Sequence, residues 1–239
     1  MNAQPPAAPA PVPTAHPLPG CFVALEGGDG AGKTTQRELL GGWLHSLGHE
    51  VVLTREPGGT ELGQVLRDAV LHGGHVDPRT EALLYATDRA HHVHQLVLPA
   101  LERGAVVVTD RYLDSSVAYQ GAARDLGADE IRALSLWATE GLLPDLTVLL
   151  DLDPAVGAAR RTGAPDRIER ESAQFHRRVR EHFLAQAGAE PDRYLVLDAS
   201  RPPQELHAAV RARLAPLLPL VTAVPVADPA DLPDVEVSR

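Results

Sequence analysis

The chain has 239 residues, 44% of them hydrophobic, 23% charged and only 4% aromatic, enough apolar material for one core in a domain of about 200 residues. It contains no run near the roughly 20 apolar residues of a membrane span, and its opening MNAQPPAAPAPVPTAHPLPG lacks the basic and apolar regions of a secretory signal. A net charge of -10 argues against sequence-independent binding of nucleic acid, and the single Cys21 rules out a disulfide framework and points to a reducing cytoplasm.

The ends read as unstructured. Residues 1–19 form an Ala/Pro tract and residues 219–239 are rich in Pro and acidic side chains, and neither buries enough apolar surface to offset its ordering entropy. Residues 20–218 read as one domain. Along it, five continuous apolar runs predict strands: Cys21–Glu26, Val51–Thr54, Ala105–Asp110, Leu146–Asp151 and Tyr194–Asp198. Continuous rather than alternating runs suit strands buried on both faces of a parallel sheet. Between them lie helical patterns, two of which open with an N-cap and a proline, Asp77-Pro78 and Asp153-Pro154. The alternation predicts a doubly wound α/β fold with a five-stranded parallel sheet, and ligands at the carboxyl ends of its strands.

Directly after the first strand stands Gly27-Gly28-Asp29-Gly30-Ala31-Gly32-Lys33-Thr34, a complete G-x-x-x-x-G-K-[ST] loop, followed by Thr35. Its glycines let backbone N–H groups wrap a phosphate, and the following helix adds its positive end. Lys33 can bridge the outer phosphates of a nucleoside triphosphate, and the Thr34 hydroxyl can ligate Mg²⁺. Of 22 basic residues Lys33 is the only lysine, as expected where a compact ammonium fits and a planar guanidinium does not. A GTPase is excluded, because its N-K-x-D base-reading motif needs an Asn and a Lys, and here the only ones are Asn2 and Lys33.

The second strand ends in Thr54-Arg55-Glu56-Pro57-Gly58-Gly59-Thr60. The third ends in Asp110-Arg111-Tyr112, with Ser115, Ser116 and Tyr119-Gln120-Gly121 beyond. Arg55 and Arg111 at neighbouring strand ends can hold a second phosphate group facing the loop. Taken with FVALEGGDGAGKTT, TREPGGT, LLYATDRA, DRYLDSSVAYQG, LPDLTVLLDLDP and DRIERES, the set resembles the bacterial thymidylate (dTMP) kinases over nearly all of residues 21–200.

That resemblance implies a nucleoside-monophosphate-kinase fold, usually a homodimer, that phosphorylates dTMP with ATP and Mg²⁺. It places Arg55 and Arg111 on the dTMP phosphate, Tyr85 on the thymine ring, Arg89 on thymine O4, and Ser115 or Ser116 at the base edge. Tyr119 falls where the deoxyribose packs, Gln120 joins the substrate-binding set, Asp29 receives the sugar 3′-hydroxyl, and Asp110 joins Thr34 at Mg²⁺. It also supports a cis Glu56–Pro57 bond that aims Arg55. The loop itself carries no basic residue at Gly28, Asp29, Gly30 or Ala31, so the extra cation for phosphoryl transfer is sought in a lid at about 157–168, from Arg160, Arg161 or Arg167.

His91, His92 and His94 read as surface histidines, since spacings of one and two residues do not bring imidazoles together on one helix face. A phosphate monoester with a second pKa of ~6 is already dianionic at neutral pH, so no general base is required. Two alternatives stand beside this reading. One is a deoxynucleoside kinase acting on thymidine, with Glu56 as base; the other is a P-loop regulatory ATPase.

Overall fold

The computed structural model describes residues 16–161 and 163–220. Five strands form one sheet: β1 (Cys21–Glu26), β2 (Val51–Arg55), β3 (Val106–Asp110), β4 (Leu146–Asp151) and β5 (Tyr194–Asp198). All pairs are parallel, in the order β2-β3-β1-β4-β5. The strands lie where the apolar runs predict them, with β2 extending one residue further and β3 starting one later.

Helices cover both faces, because side chains alternate across a strand. On one face Val23, Leu25, Val106, Val108, Val148 and Leu150 meet Leu40 and Leu44 of α1 (Lys33–Ser46) and Val210 and Leu214 of α9 (Pro203–Leu214). On the other, Phe22, Ala24 and Val107 meet Val97, Leu101, Leu113 and Val117. Each fully buried Val, Leu or Phe contributes roughly 1.5–3 kcal/mol. The second face is built from α2 (Glu61–Leu71), α3 (Pro78–His92), α4 (Leu98–Glu102), α5 (Leu113–Ser116) and α6 (Ala128–Ala138), and α8 (Ala173–Ala189) closes the end near β4, preceded by α7 (Pro154–Arg160).

The two proline-opened helices start as the sequence implies: Asp77 accepts from Arg79 N and Thr80 N, and Asp153 from Ala155 N. A π-helical stretch, Val117–Ala123, carries Tyr119 and Gln120. Its wider turn shifts these side chains relative to an α-helix, as π-turns at functional sites often do.

Of the terminal tracts expected to be unstructured, residues 1–15 and 221–239 lie outside the described residues. The packed chain begins earlier than residue 20: His16 Nε2 lies 3.1 Å from Asp145 Oδ2 and Leu18 rests on the second core. Among the described residues no helix is long and apolar enough to cross a membrane.

Candidate active site

β1, β2 and β3 deliver their carboxyl ends to one rim of the sheet. β1 runs into the phosphate loop, where Gly27 adopts φ 133° and a Cβ would collide with the Leu150 carbonyl, so only glycine lets the loop pass so close to β4. The loop ends at α1, whose first turn has neither an acidic residue nor a side-chain cap. Its first N–H groups are therefore left for an anion. Lys33 Nζ donates to the carbonyls of Gly27 (3.1 Å) and Gly28 (2.9 Å), which folds the ammonium over the loop.

Thr34 Oγ1 lies 3.3 Å from Asp110 Oδ2 at the mouth of this cleft. A hydroxyl and a carboxylate are hard oxygen donors that suit Mg²⁺, which draws its remaining ligands from water and phosphates. Among the described residues no cluster of three or more His, Cys, Asp or Glu forms a metal cage. A substrate-borne ion held by these two groups is the arrangement the residues fit.

Arg111 joins the two halves of the site. It occupies a left-handed backbone conformation, φ 72°, a strained state that persists only where neighbours enforce it. Leu25 O accepts from its N–H at 2.9 Å, and the buried Glu26 carboxylate accepts from Tyr112 N (2.8 Å), Ser115 N (3.1 Å) and the Ser115 hydroxyl (2.6 Å). The guanidinium donates to Gly27 O, Ser115 Oγ and Asp29 Oδ1, and stands over the Tyr119 ring at 5.1 Å. Burial works against its charge, but Tyr119, Asp29, Asp110 and Glu26 outweigh this and hold its pKa well above the ordinary arginine value.

Beside the phosphate loop is a second pocket, lined by Asp29, Tyr85, Arg89, Arg111, Tyr119 and Gln120 among others. Burial, reinforced by Glu81, pushes the Tyr85 phenol up, so it stays neutral. Arg89 is 2% exposed and donates to Glu56 Oε2 (2.8 Å), Ser135 Oγ (3.3 Å), Tyr112 O (3.2 Å) and Ser116 Oγ (3.1 Å). Burial opposes its charge and Glu56 more than compensates, so its pKa is raised. These contacts use four of its five N–H groups, leaving one on Nη1.

The structure thus gathers Asp29, Tyr85, Arg89, Arg111, Ser115, Ser116, Tyr119 and Gln120 in one pocket, and Lys33, Thr34, Thr35, Arg55, Asp110, Arg160 and Arg161 in the adjoining cleft. Gly27 and Gly28 line the neighbouring space under α7 and α8, and Ala31 is buried. The Glu56–Pro57 bond is cis, as the motif implied.

Three placements depart from the sequence reading. Arg167 is turned away from the loop: its Nε donates to Val70 O and its Nη1 to Glu81 Oε2, both at 2.7 Å. A fully buried carboxylate captures this arginine, leaving Arg160 and Arg161 as the lid candidates that reach the cleft. His92 is no surface residue but wholly buried, between Thr54 Oγ1 (2.7 Å) and Glu56 Oε1 (2.9 Å). Glu56, an alternative general base by sequence, is committed to Arg89 and His92 and is 3% exposed.

Sequence reasoning missed Glu26, Glu81, Arg37 and Arg67. Glu81, fully buried, accepts from Gln120, Arg124 and Arg167. Its place one helical turn before Tyr85 was the only available hint.

Two anion-receiving sites facing each other across one cleft are what phosphoryl transfer between nucleotides demands. A P-loop motor or switch has no use for the second, so fold and site together define a P-loop nucleotide kinase. The thymidylate kinase family model matches residues 25–210. The thymidylate kinase of Clavibacter michiganensis subsp. michiganensis is 63% identical over 205 residues, covering 84% of this chain and 97% of that protein. That of Leifsonia xyli subsp. xyli is 62% identical over 200 residues (82% and 95%), and that of Deinococcus radiodurans 52% over 199 (82% and 97%). The chain belongs to the thymidylate kinase family.

Proposed function

We propose that this chain transfers the γ-phosphoryl group of ATP to dTMP, giving dTDP, with Mg²⁺ held by Thr34 and Asp110. The observation that carries the reading is Arg111, placed between the phosphate loop and a pocket lined by Tyr85, Tyr112 and Tyr119. The base stacks on Tyr85, and the remaining Arg89 N–H meets its exocyclic carbonyl. The sugar lies against Tyr119, with its 3′-hydroxyl on Asp29. Arg55 and Arg111 hold the acceptor phosphate, while Lys33 and the loop amides hold the donor.

Catalysis is then positioning plus electrostatic stabilisation. Mg²⁺, when bound with ATP, neutralises phosphate charge. The acceptor phosphate attacks as a dianion, and Lys33 with Arg160 or Arg161 of the lid at about 157–168 meets the charge spread over the transferred group. Closure of that lid excludes water.

A thymidine kinase is disfavoured because Glu56, its required base, is held in an ion pair with Arg89 and a hydrogen bond with His92, and Arg55 and Arg111 would face a neutral hydroxyl. The single cysteine supports a cytoplasmic site of action.

The chain acts as a homodimer. Leu62 and Val65 of α2, Leu83 of α3 and Trp137 of α6 are exposed, Trp137 by 80%. α3 packs against both α2 and α6, and exposed apolar side chains on neighbouring helices favour an interface there.

A coupled ADP-release assay comparing dTMP, dUMP, UMP and thymidine tests the activity. dTMP should be the best acceptor, and preference for thymidine would overturn the reading.

A further inference from the structure

Glu81 lies wholly buried on α3, one turn before Tyr85, and its carboxylate is where two other segments of the chain meet. From the π-helical stretch Gln120 Nε2 donates to Oε1 at 2.8 Å, and just beyond it Arg124 Nη2 donates to Oε2 at 3.1 Å. From the base of the lid Arg167 Nη1 donates to Oε2 at 2.7 Å. Arg124 also reaches Glu171 at 2.7 Å, so two carboxylates balance two guanidiniums.

Well-packed apolar side chains often hold such a junction as firmly as buried charges do. Charges joined by hydrogen bonds instead select one arrangement of the segments. A carboxylate only accepts, so it also fixes which way the Gln120 amide turns.

The arrangement selected here shapes the acceptor pocket. Gln120 lines that pocket from one side, and Asp166 and Ile168, the two neighbours of Arg167, line it from another. Arg167 is tied to α2 as well as to α3: its backbone N–H donates to Leu71 O (3.2 Å) and its Nε to Val70 O (2.7 Å). The lid base is stiffened further by Asp166 Oδ1, which accepts from Ile168 N and Glu169 N, both at 2.8 Å. Glu81 itself does not line the pocket. It holds the groups that do.

We infer that Glu81 is a positioning residue for the acceptor: through Arg167 and Gln120 it sets two walls of the pocket in which dTMP binds. This rests on the dTMP-kinase reading above.

The test is steady-state kinetics of the full chain, each substrate varied at saturating levels of the other, for Glu81→Gln, Arg167→Met, the two combined, and Arg167→Lys. Glu81→Gln keeps the shape of the side chain and removes its charge. Each of the first two variants should raise KM for dTMP about tenfold to hundredfold, the size of a lost charge-assisted contact, while KM for ATP changes less than threefold. The combined variant should be no worse than the more impaired single one, because both remove the same contact. Arg167→Lys keeps the ion pair and should recover much of the wild-type KM. Equal rises in both KM values, additive effects, or a Lys variant as impaired as the Met variant would make Glu81 a merely structural residue, and the inference fails. Should Glu81→Gln not fold, the Met and Lys variants of Arg167 decide alone through the split between the two KM values. A wild-type enzyme that does not accept dTMP would sink the dTMP reading itself. A wild-type dTMP kinase whose KM for dTMP is untouched by these variants sinks only the role of Glu81.

Discussion

Arg111 Nη2 stands 2.5 Å from Asp29 Oδ1, an ion pair that binds the end of β3 to the phosphate loop after β1. Because Arg111 also donates to Gly27 O, any movement of its guanidinium is felt by the phosphate loop. Burial works against ionisation of Asp29, and Arg111 and Lys33 outweigh it, so its carboxyl is held below the ordinary range. On the proposed function the two substrates meet across this ion pair, and in-line transfer depends on such positioning.

Arg55→Ala should remove a contact of ~1.5–3 kcal/mol, lowering kcat/KM for dTMP roughly tenfold to hundredfold. The KM for ATP and the melting temperature should barely change, since Arg55 makes a single long bond to Gln64. Steady-state kinetics beside thermal melts check this. A structural ion-pair role would instead lower the melting temperature and impair both substrates.

Lys33→Arg should cost kcat roughly a hundredfold or more, comparable to deleting a transition-state donor, with the fold intact. The ammonium sits within 3.1 Å of two loop carbonyls, where a planar guanidinium is too wide. Turnover near that of the wild type in an enzyme with unchanged circular dichroism would refute the size argument.

Glu26 gives a pH signature. Burial first, then Asp114, pushes its carboxyl from an ordinary 4.5 up to about 7. The native state thus holds this proton more tightly than the unfolded chain, so the contribution is present below pH 4.5 and is lost as pH rises toward 7. Urea unfolding from pH 5 to 8 should show a smaller decline in stability for Glu26→Gln than for wild type, because the amide can keep the hydrogen bonds to Tyr112 and Ser115 without titrating. Parallel curves would count against the assignment.

His92→Ala should destabilise the fold by about 1–3 kcal/mol, since it strands the buried Thr54 hydroxyl and one oxygen of Glu56. For a domain of this size that is a fall of several degrees in melting temperature. Because Glu56 also holds Arg89, dTMP affinity should fall too. A melt unchanged within a degree would be incompatible with a buried bridging role.

The homodimer proposed above predicts that Trp137→Glu sediments as a monomer where the wild type sediments as a dimer, because it places a charge on the exposed face of α6. An unaltered sedimentation coefficient would move the interface elsewhere.

The strand runs, the phosphate loop and the proline-capped helices were legible in the sequence because each is a local pattern. Continuous apolar stretches, glycines at fixed spacing and an Asp-Pro pair all act through neighbouring residues. The acceptor motifs were legible as a set, through the resemblance they carry. What stayed hidden depends on which distant side chains meet. His92 looks like one of three surface histidines until β2 brings Thr54 and Glu56 against it. Arg167 looks like a lid cation until Glu81, 86 residues earlier, captures it. Glu26 is the last residue of an apolar strand, and only the return of β3 alongside gives its carboxylate three donors. Sequence alone determined that the chain folds as a parallel α/β sheet with a triphosphate loop after its first strand. Only the tertiary structure decided which charges are paired within the protein, as Arg89 is with Glu56 and Arg111 with Asp29, and which, like that of Arg55, meet no carboxylate among the described residues. Charge pairing acts through space across long sequence separations, and no local pattern records it.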